Sequence, residues 1–159
     1  MLRLCRSLQE VPWIVTVNSS AGIISIVWLV HYLGIFLLVG TGVFVNLRVL
    51  GVAGRRQTIS QLSGSLFPWT WTGLAMVIPT GFIMFAGQAT TFYPATVFRI
   101  KMLELLVAVA FGVIVQRKVP QWDRVATIPA GAKLLALVSL VLWIGAILAG
   151  LEVPAWLPI

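Results

Sequence analysis

Four long apolar stretches separated by short polar segments make up most of the chain. They cover about residues 21–47, 66–87, 95–116 and 132–150. A helix rises about 1.5 Å per residue, so about 20 apolar residues cross a hydrocarbon core of about 30 Å. The pattern predicts an all-α integral membrane protein, a bundle of four transmembrane helices that forms one domain over residues 1–159.

The polar segments predict how these helices begin and end. Residues 1–20 mix leucines with Arg3, Arg6 and Glu10, which is typical of a short helix lying in the membrane interface. Thr58 and Gln61 fit a capping box, which predicts an interfacial turn before the second span. We expect a polar turn over residues 88–94, a third span that ends at residues 117–120, and an interfacial tail from residue 152 onward.

Composition supports a membrane protein and excludes several other classes. Hydrophobic residues make up 60% of the chain and charged residues 9%, whereas soluble domains carry about 25% charged residues. The net charge of +7 lies mostly between apolar runs, so we expect the lipid bilayer as a partner and no nucleic acid. Cys5 is the only cysteine, which excludes an intrachain disulfide.

The charged residues also predict an orientation. The first and third loops, with the residues at their edges, carry seven basic residues and one acidic residue, which gives a net charge of +6. The opposite side carries four basic and three acidic residues, which gives a net charge of +1. Basic loops stay in the cytoplasm. We therefore expect a bacterial inner-membrane protein with both termini on the non-cytoplasmic side.

His31 is the only histidine and lies in the first apolar stretch. An imidazole at that depth needs a hydrogen-bond partner, a cavity or a cofactor. Gly34 and Gly42 share its helical face, at i+3 and i+11, and permit close approach of a helix or a flat macrocycle. Three interpretations stay open: a haem ligand in a slot opened by these glycines, a ligand of another metal, or a packing residue bonded to a neighbour. A hydroxyl or a backbone carbonyl is the expected partner of its second ring nitrogen.

Three charged residues open the third span at a depth that overlaps His31. Lys101 and Glu104 are spaced i,i+3 and can pair on one helical face. Arg99 and Lys101 could hold haem propionates, or they could extend to the interface with Lys101 paired to Glu104. We expect Lys101 and Glu104 to face the bundle interior or the edge of a cofactor rather than lipid.

Several short segments occur in an order and spacing that resemble a family of small uncharacterised bacterial four-helix membrane proteins. The resemblance covers about residues 25–118. Its segments are WLVHYLG at 28–34, GTG at 40–42, NLRVLG at 46–51, FPW at 67–69, TGF at 80–82 and FRIK at 98–101.

That family is more distantly similar to CopD-type copper-resistance domains and to four-helix membrane haem proteins. An early intramembrane histidine and a lysine that opens a later span recur there, and they correspond to His31 and Lys101. The resemblance implies haem b, although a single histidine excludes bis-histidine ligation within one chain. The second ligand would be absent, a methionine, or supplied by another chain.

Two functional hypotheses follow. The chain is either a b-type haem subunit that transfers electrons within a larger redox complex, or a non-catalytic accessory subunit of a respiratory or photosynthetic membrane complex. Both imply other membrane subunits or a homo-oligomer as partners. Copper transport is disfavoured because clustered sulfur ligands are missing, and the sequence contains no nucleophile–base set or nucleotide-binding motif that would indicate an enzyme.

Overall fold

The computed structural model of the protein describes residues 1–54, 56–125 and 127–152. These residues form helices joined by short turns, and no strand occurs among them. The helices are α1 (Leu2–Gln9), α2 (Pro12–Ser19), α3 (Ala21–Val49), α4 (Ile59–Gly87), α5 (Ala89–Phe92), α6 (Thr96–Trp122) and α7 (Ala130–Glu152). Among the described residues, three helical segments are long and apolar enough to cross a membrane: α3, α4 and residues Ala130–Leu148 of α7. The prediction of an all-helical, multi-pass membrane protein is therefore confirmed at this level.

The N-terminal segment forms two short helices where one was expected. Val11 is extended, with φ −61° and ψ 126°, and Pro12 occupies the first turn of α2. Proline disfavours helical geometry in the residue before it but fits the start of a helix, where its missing N–H is not needed. The chain therefore leaves α1 at Glu10 and starts again at Pro12.

The second apolar helix begins earlier than expected. The predicted capping box is present: the Gln61 N–H donates to Thr58 Oγ1 at 3.1 Å, and the Thr58 N–H donates to Gln61 Oε1 at 3.0 Å. The prediction of a separate turn before residue 66 is wrong, because α4 runs without a break from Ile59. The capping box starts the long helix itself.

The third long helix extends past the residues expected to stop it. It continues through Pro120 to Trp122. A proline removes one main-chain hydrogen bond of a helix, and buried Val119 and Trp122 hold this last turn against neighbouring helices. The predicted turn at 88–94 contains the one-turn helix α5. Residues 153–159, most of the predicted interfacial tail, lie outside the described residues.

The long helices pack as two pairs, α3 with α4 and α6 with α7. The two pairs contact each other through α3 against α7 and α4 against α6. A buried apolar cluster fills the end of the structure near Asn46: Val45, Val49, Ile59, Val115, Val119, Trp122, Ala132 and Ala136. A second cluster lies at mid-height: Leu38, Val39, Val77, Ala108 and Trp143. We refer to these two levels of the molecule as the Asn46 end and the middle, and to the level of α1, α2 and α5 as the His31 end.

A group of polar residues, Asp123, Arg48 and the backbone of residues 57–60, joins the loops at the Asn46 end by hydrogen bonds, and we call it the clasp. Asp123, at the end of α6, accepts hydrogen bonds from the N–H groups of Ile59 at 3.0 Å and Ser60 at 2.7 Å. Arg48 Nη2 donates to the Gln57 carbonyl at 2.7 Å. The carboxylate therefore caps the first turn of α4, where free N–H groups and the helix dipole favour negative charge.

The surroundings of Asp123 set its ionisation. Partial burial raises the pKa of its carboxyl, but hydrogen bonds from the Ser60 hydroxyl and from the N–H groups of Ser60 and Ile59, with the charge of Arg48, outweigh that effect. The pKa of Asp123 consequently lies below its ordinary value. The clasp contains the charged form at neutral pH.

Candidate functional site

His31 lies on α3 against α4, and its side chain is buried. Its Nδ1 is 2.9 Å from Thr80 Oγ1, and the Thr80 hydroxyl also donates to the Met76 carbonyl. A hydroxyl has a single proton, so when the Thr80 proton goes to the Met76 carbonyl, Nδ1 carries the hydrogen and donates it to Thr80. The expected hydroxyl partner of the imidazole is thus present.

This arrangement leaves the second ring nitrogen available. The Val77 carbonyl also interacts with His31. In the tautomer with the hydrogen on Nδ1, the lone pair lies on Nε2. Metal-binding histidines commonly have this tautomer and this second-shell support.

The two predicted glycines are helix-contact positions in the structure. A Cβ added to Gly34 would lie 2.9 Å from Met76 Cβ and 3.0 Å from the Gly73 carbonyl oxygen. A Cβ added to Gly42 would lie 3.2 Å from Trp143 Nε1. The space beside Gly34 is thus filled by α4 and the space beside Gly42 by a tryptophan ring from α7.

These contacts test how well the site suits haem. A ligand of that size needs a pocket of about 300 Å³ or more, and the side of α3 marked by Gly34 and Gly42 has no such room. The free Nε2 of His31 does suit an axial ligand. The residues present therefore fit a ligand role for His31 and do not fit a porphyrin slot at the two glycines.

Lys101 and Glu104 lie on α6 and are half-buried against glycines of α7. A Cβ at Gly150 would lie 3.7 Å from Lys101 Nζ, and the space at Gly145 is taken by the Glu104 carboxylate. The two contacts are five residues apart on α7, which corresponds to about 7.5 Å of helix. Within the described part of the chain no ion pair joins the Lys101 and Glu104 side chains. They face a neighbouring helix, as expected, but the expected pairing is not formed.

The structure brings only one of the two predicted cations toward the histidine. Lys101 is close enough to His31 to act on it electrostatically. Arg99 is exposed. A cationic group therefore accompanies His31, across the gap between α3 and α6.

Sequence reasoning missed a second buried polar group on α3. Asn46 is 2% exposed, and its Nδ2 donates to Ser139 Oγ of α7 at 3.0 Å. Trp143, one turn further along α7, is also 2% exposed. The signal was an asparagine near the end of an apolar stretch. Such a residue is equally typical of the end of a membrane span.

The fold and the site define a class, a multi-pass helical membrane protein with a buried histidine held by a threonine. Residues 14–154 match the Family of unknown function (DUF6644), and the chain belongs to that family. Comparison with curated proteins found no match, and neither did comparison with solved structures. The expected membership in an uncharacterised family is confirmed.

Proposed function

We propose that this protein is an integral membrane subunit of a larger redox complex and that His31 would ligate a b-type haem through Nε2. The observation that carries the proposal is the hydrogen bond of 2.9 Å between Nδ1 and Thr80 Oγ1, which occupies one ring nitrogen and leaves ligation to the other. When bound, the haem supplies one-electron transfer. Thr80 orients the ring, and Lys101 adds positive charge on the α6 side.

The same site supports a shared cofactor rather than one enclosed by this chain. The glycine side of α3 is closed, whereas Trp28 and Tyr32 beside His31 are exposed. A second copy or another membrane subunit would then complete the haem environment and its second ligand. This agrees with the presence of one histidine in the sequence.

The closed glycine side also favours a second candidate, an accessory subunit without a cofactor. In that case His31 and Thr80 join α3 to α4, and a polar pair inside lipid replaces two unsatisfied groups. The apolar surfaces of the long helices then serve contacts with lipid or with partner subunits.

An absorption spectrum of the full chain, purified in mild detergent from haem-sufficient cells, distinguishes the candidates. The haem proposal expects a Soret band that is lost in His31→Ala and kept in Thr72→Val, an exposed-face control on α4. A colourless wild-type protein, or a Soret band that persists in His31→Ala, contradicts haem ligation. A colourless protein that copurifies with other membrane subunits supports the accessory role.

We also propose that α6 is a fourth span. Its segment 105–116 has no charged residue, and 12 residues give about 18 Å of helix. Lys101 and Glu104 extend this length because they face glycines of α7 instead of lipid. Arg117 and Lys118 are exposed at the other end, where long side chains can reach the headgroups.

Four spans place both termini on one side, and the charge asymmetry places that side outside the cytoplasm of a bacterial inner membrane. A membrane-impermeant thiol reagent tests this in intact cells, on a Cys5→Ser background. Gln57→Cys should stay unlabelled and Leu4→Cys should be labelled, since both positions are exposed. The reverse pattern contradicts the orientation, and labelling of both contradicts a membrane crossing by α3, which lies between the two positions.

A further inference from the structure

The long helices line a cavity of about 40 Å³, open on one side, between the middle and the Asn46 end. Each of the four helices contributes a polar side chain to its lining: Asn46, Thr70, Gln116 and Trp143. The remaining lining is apolar, and none of the described residues that form it is charged. The cavity is therefore mostly apolar and uncharged, with one polar side chain from each helix.

Two of these side chains carry a buried atom that has no hydrogen-bond partner among the described residues. They are Asn46 Oδ1, an acceptor, and Trp143 Nε1, a donor. Buried polar atoms nearly always have a partner in native proteins, and inside a membrane bulk water is not there to provide one. An unpaired acceptor and an unpaired donor on one cavity indicate a bridging molecule that can both donate and accept.

Size and charge restrict that molecule to water. A cavity holds one water once about 10–15 Å³ are open to it, so 40 Å³ suffices for a small cluster. An ion would lose its hydration without gaining a charged partner. Water meets both hydrogen-bonding needs and fits the volume.

We propose that this cavity is a hydration site between the helices, in which water accepts from Trp143 Nε1–H and donates to Asn46 Oδ1. The water links α3 to α7 beside the direct Asn46–Ser139 hydrogen bond of 3.0 Å. This inference is independent of haem, because it concerns other residues at a different level of the molecule.

Nuclear magnetic resonance of the ¹⁵N-labelled full chain in micelles tests the proposal. Trp143→Phe assigns the indole signal of Trp143 among those of the seven tryptophans. We expect a water cross-peak at that indole proton with the sign of a long-lived water. Absence of the cross-peak in the wild-type protein contradicts the proposal.

A cavity-filling variant locates the water. A Cβ at Gly112 would lie 3.9 Å from Trp143 Cζ2, an ordinary contact, whereas Gly40 has nothing within 4 Å. Gly112→Ala should weaken the cross-peak several-fold, and Gly40→Ala should leave it unchanged. An equal cross-peak in both variants shows that the water lies elsewhere and overturns the site.

A second pair of variants tests the bridge. Asn46 and Trp143 share no direct hydrogen bond, so the water is the expected hydrogen-bonded link between the Asn46 carbonyl and the indole. Asn46→Val should shift the Trp143 indole resonance and remove its cross-peak, whereas Ser139→Ala keeps Oδ1 and should retain both. An unchanged indole signal in Asn46→Val contradicts a bridging water.

Discussion

His31 and Asn46 are both buried polar side chains of α3, about 22 Å apart along the helix, yet their surroundings differ. At His31 the neighbour is α4, and Thr80 accepts from the ring directly. At Asn46 the neighbour is α7, the amide nitrogen is bonded to Ser139, and the carbonyl oxygen has no partner in the described structure. One polar group is satisfied by protein and the other is left to a cavity.

The spacing between helices explains this difference. Three residues from His31, α3 and α4 approach so closely that a Cβ on Gly34 would lie 2.9 Å from Met76 Cβ and 3.0 Å from the Gly73 carbonyl oxygen. Near Asn46, Trp143 and Phe67 keep the helices apart and leave room between them. Glycine-mediated contact allows direct hydrogen bonds, whereas bulky aromatic contacts leave space that only a small molecule can fill.

The largest effect is expected from Gly73→Ala, which breaks the close contact. The added methyl would meet the backbone of α3, at the Leu38 nitrogen and at the Gly34 carbonyl oxygen 2.7 Å away. Backbone cannot rotate aside, so we expect a loss of about 2–3 kcal/mol in the free energy of unfolding, measured by denaturant titration in micelles.

Gly64→Ala on the same helix is the control. Nothing lies within 4 Å of a Cβ there, so alanine should be neutral or stabilise α4 by up to about 1 kcal/mol. Equal stability of the two variants would show that the Gly34–Gly73 contact does not hold the helices together.

Thr80→Val would make the His31 end resemble the Asn46 end, because it removes the hydroxyl that is hydrogen-bonded to Nδ1 of His31. The shape is nearly kept while the hydroxyl is lost, so we expect the free energy of unfolding to fall by about 1–2 kcal/mol. Thr72→Val is the matched control, since the Thr72 hydroxyl bonds only within α4 to the Pro68 carbonyl and is exposed. Similar losses in both variants would argue against the His31–Thr80 bond.

The smallest effect is expected at the Asn46 end, from Asp123→Asn. The variant keeps one acceptor for the α4 N–H groups but loses the charge, and exposure to solvent limits the loss of unfolding free energy to about 1 kcal/mol. Glu10→Gln, an exposed carboxylate at the other end of the molecule, is the control. A smaller loss in Asp123→Asn than in Glu10→Gln would contradict the clasp.

The same carboxylate predicts a dependence on pH. Because folding lowers the pKa of Asp123, its contribution is complete above the unfolded pKa of about 3.9 and is lost as pH falls through the lower folded value. Thermal unfolding midpoints of the wild type and Asp123→Asn should therefore converge as the pH is lowered below about 4. A constant difference down to the lowest accessible pH would contradict this assignment.

The sequence by itself determined the helical class, three of the candidate spans, the start of α3 and the Thr58–Gln61 capping box, and it identified His31 as a histidine inside an apolar stretch that needs a partner. Apolar length and local capping control these features, and both are local along the chain. The hydroxyl partner of His31 was predicted as a type, but only folding identified Thr80, which lies on another helix.

Tertiary packing decided the remainder. Three outcomes depend on which residues other helices bring into contact. They are the contact of Gly34 with Gly73 in place of an open slot, the continuation of α6 past Pro120, and the missing partner of Asn46 among the described residues. A single helix carries the same residues in each case. Which outcome occurs depends on the distances between helices. The side-chain volumes on both helices of a pair set these distances, so no single stretch of sequence specifies them.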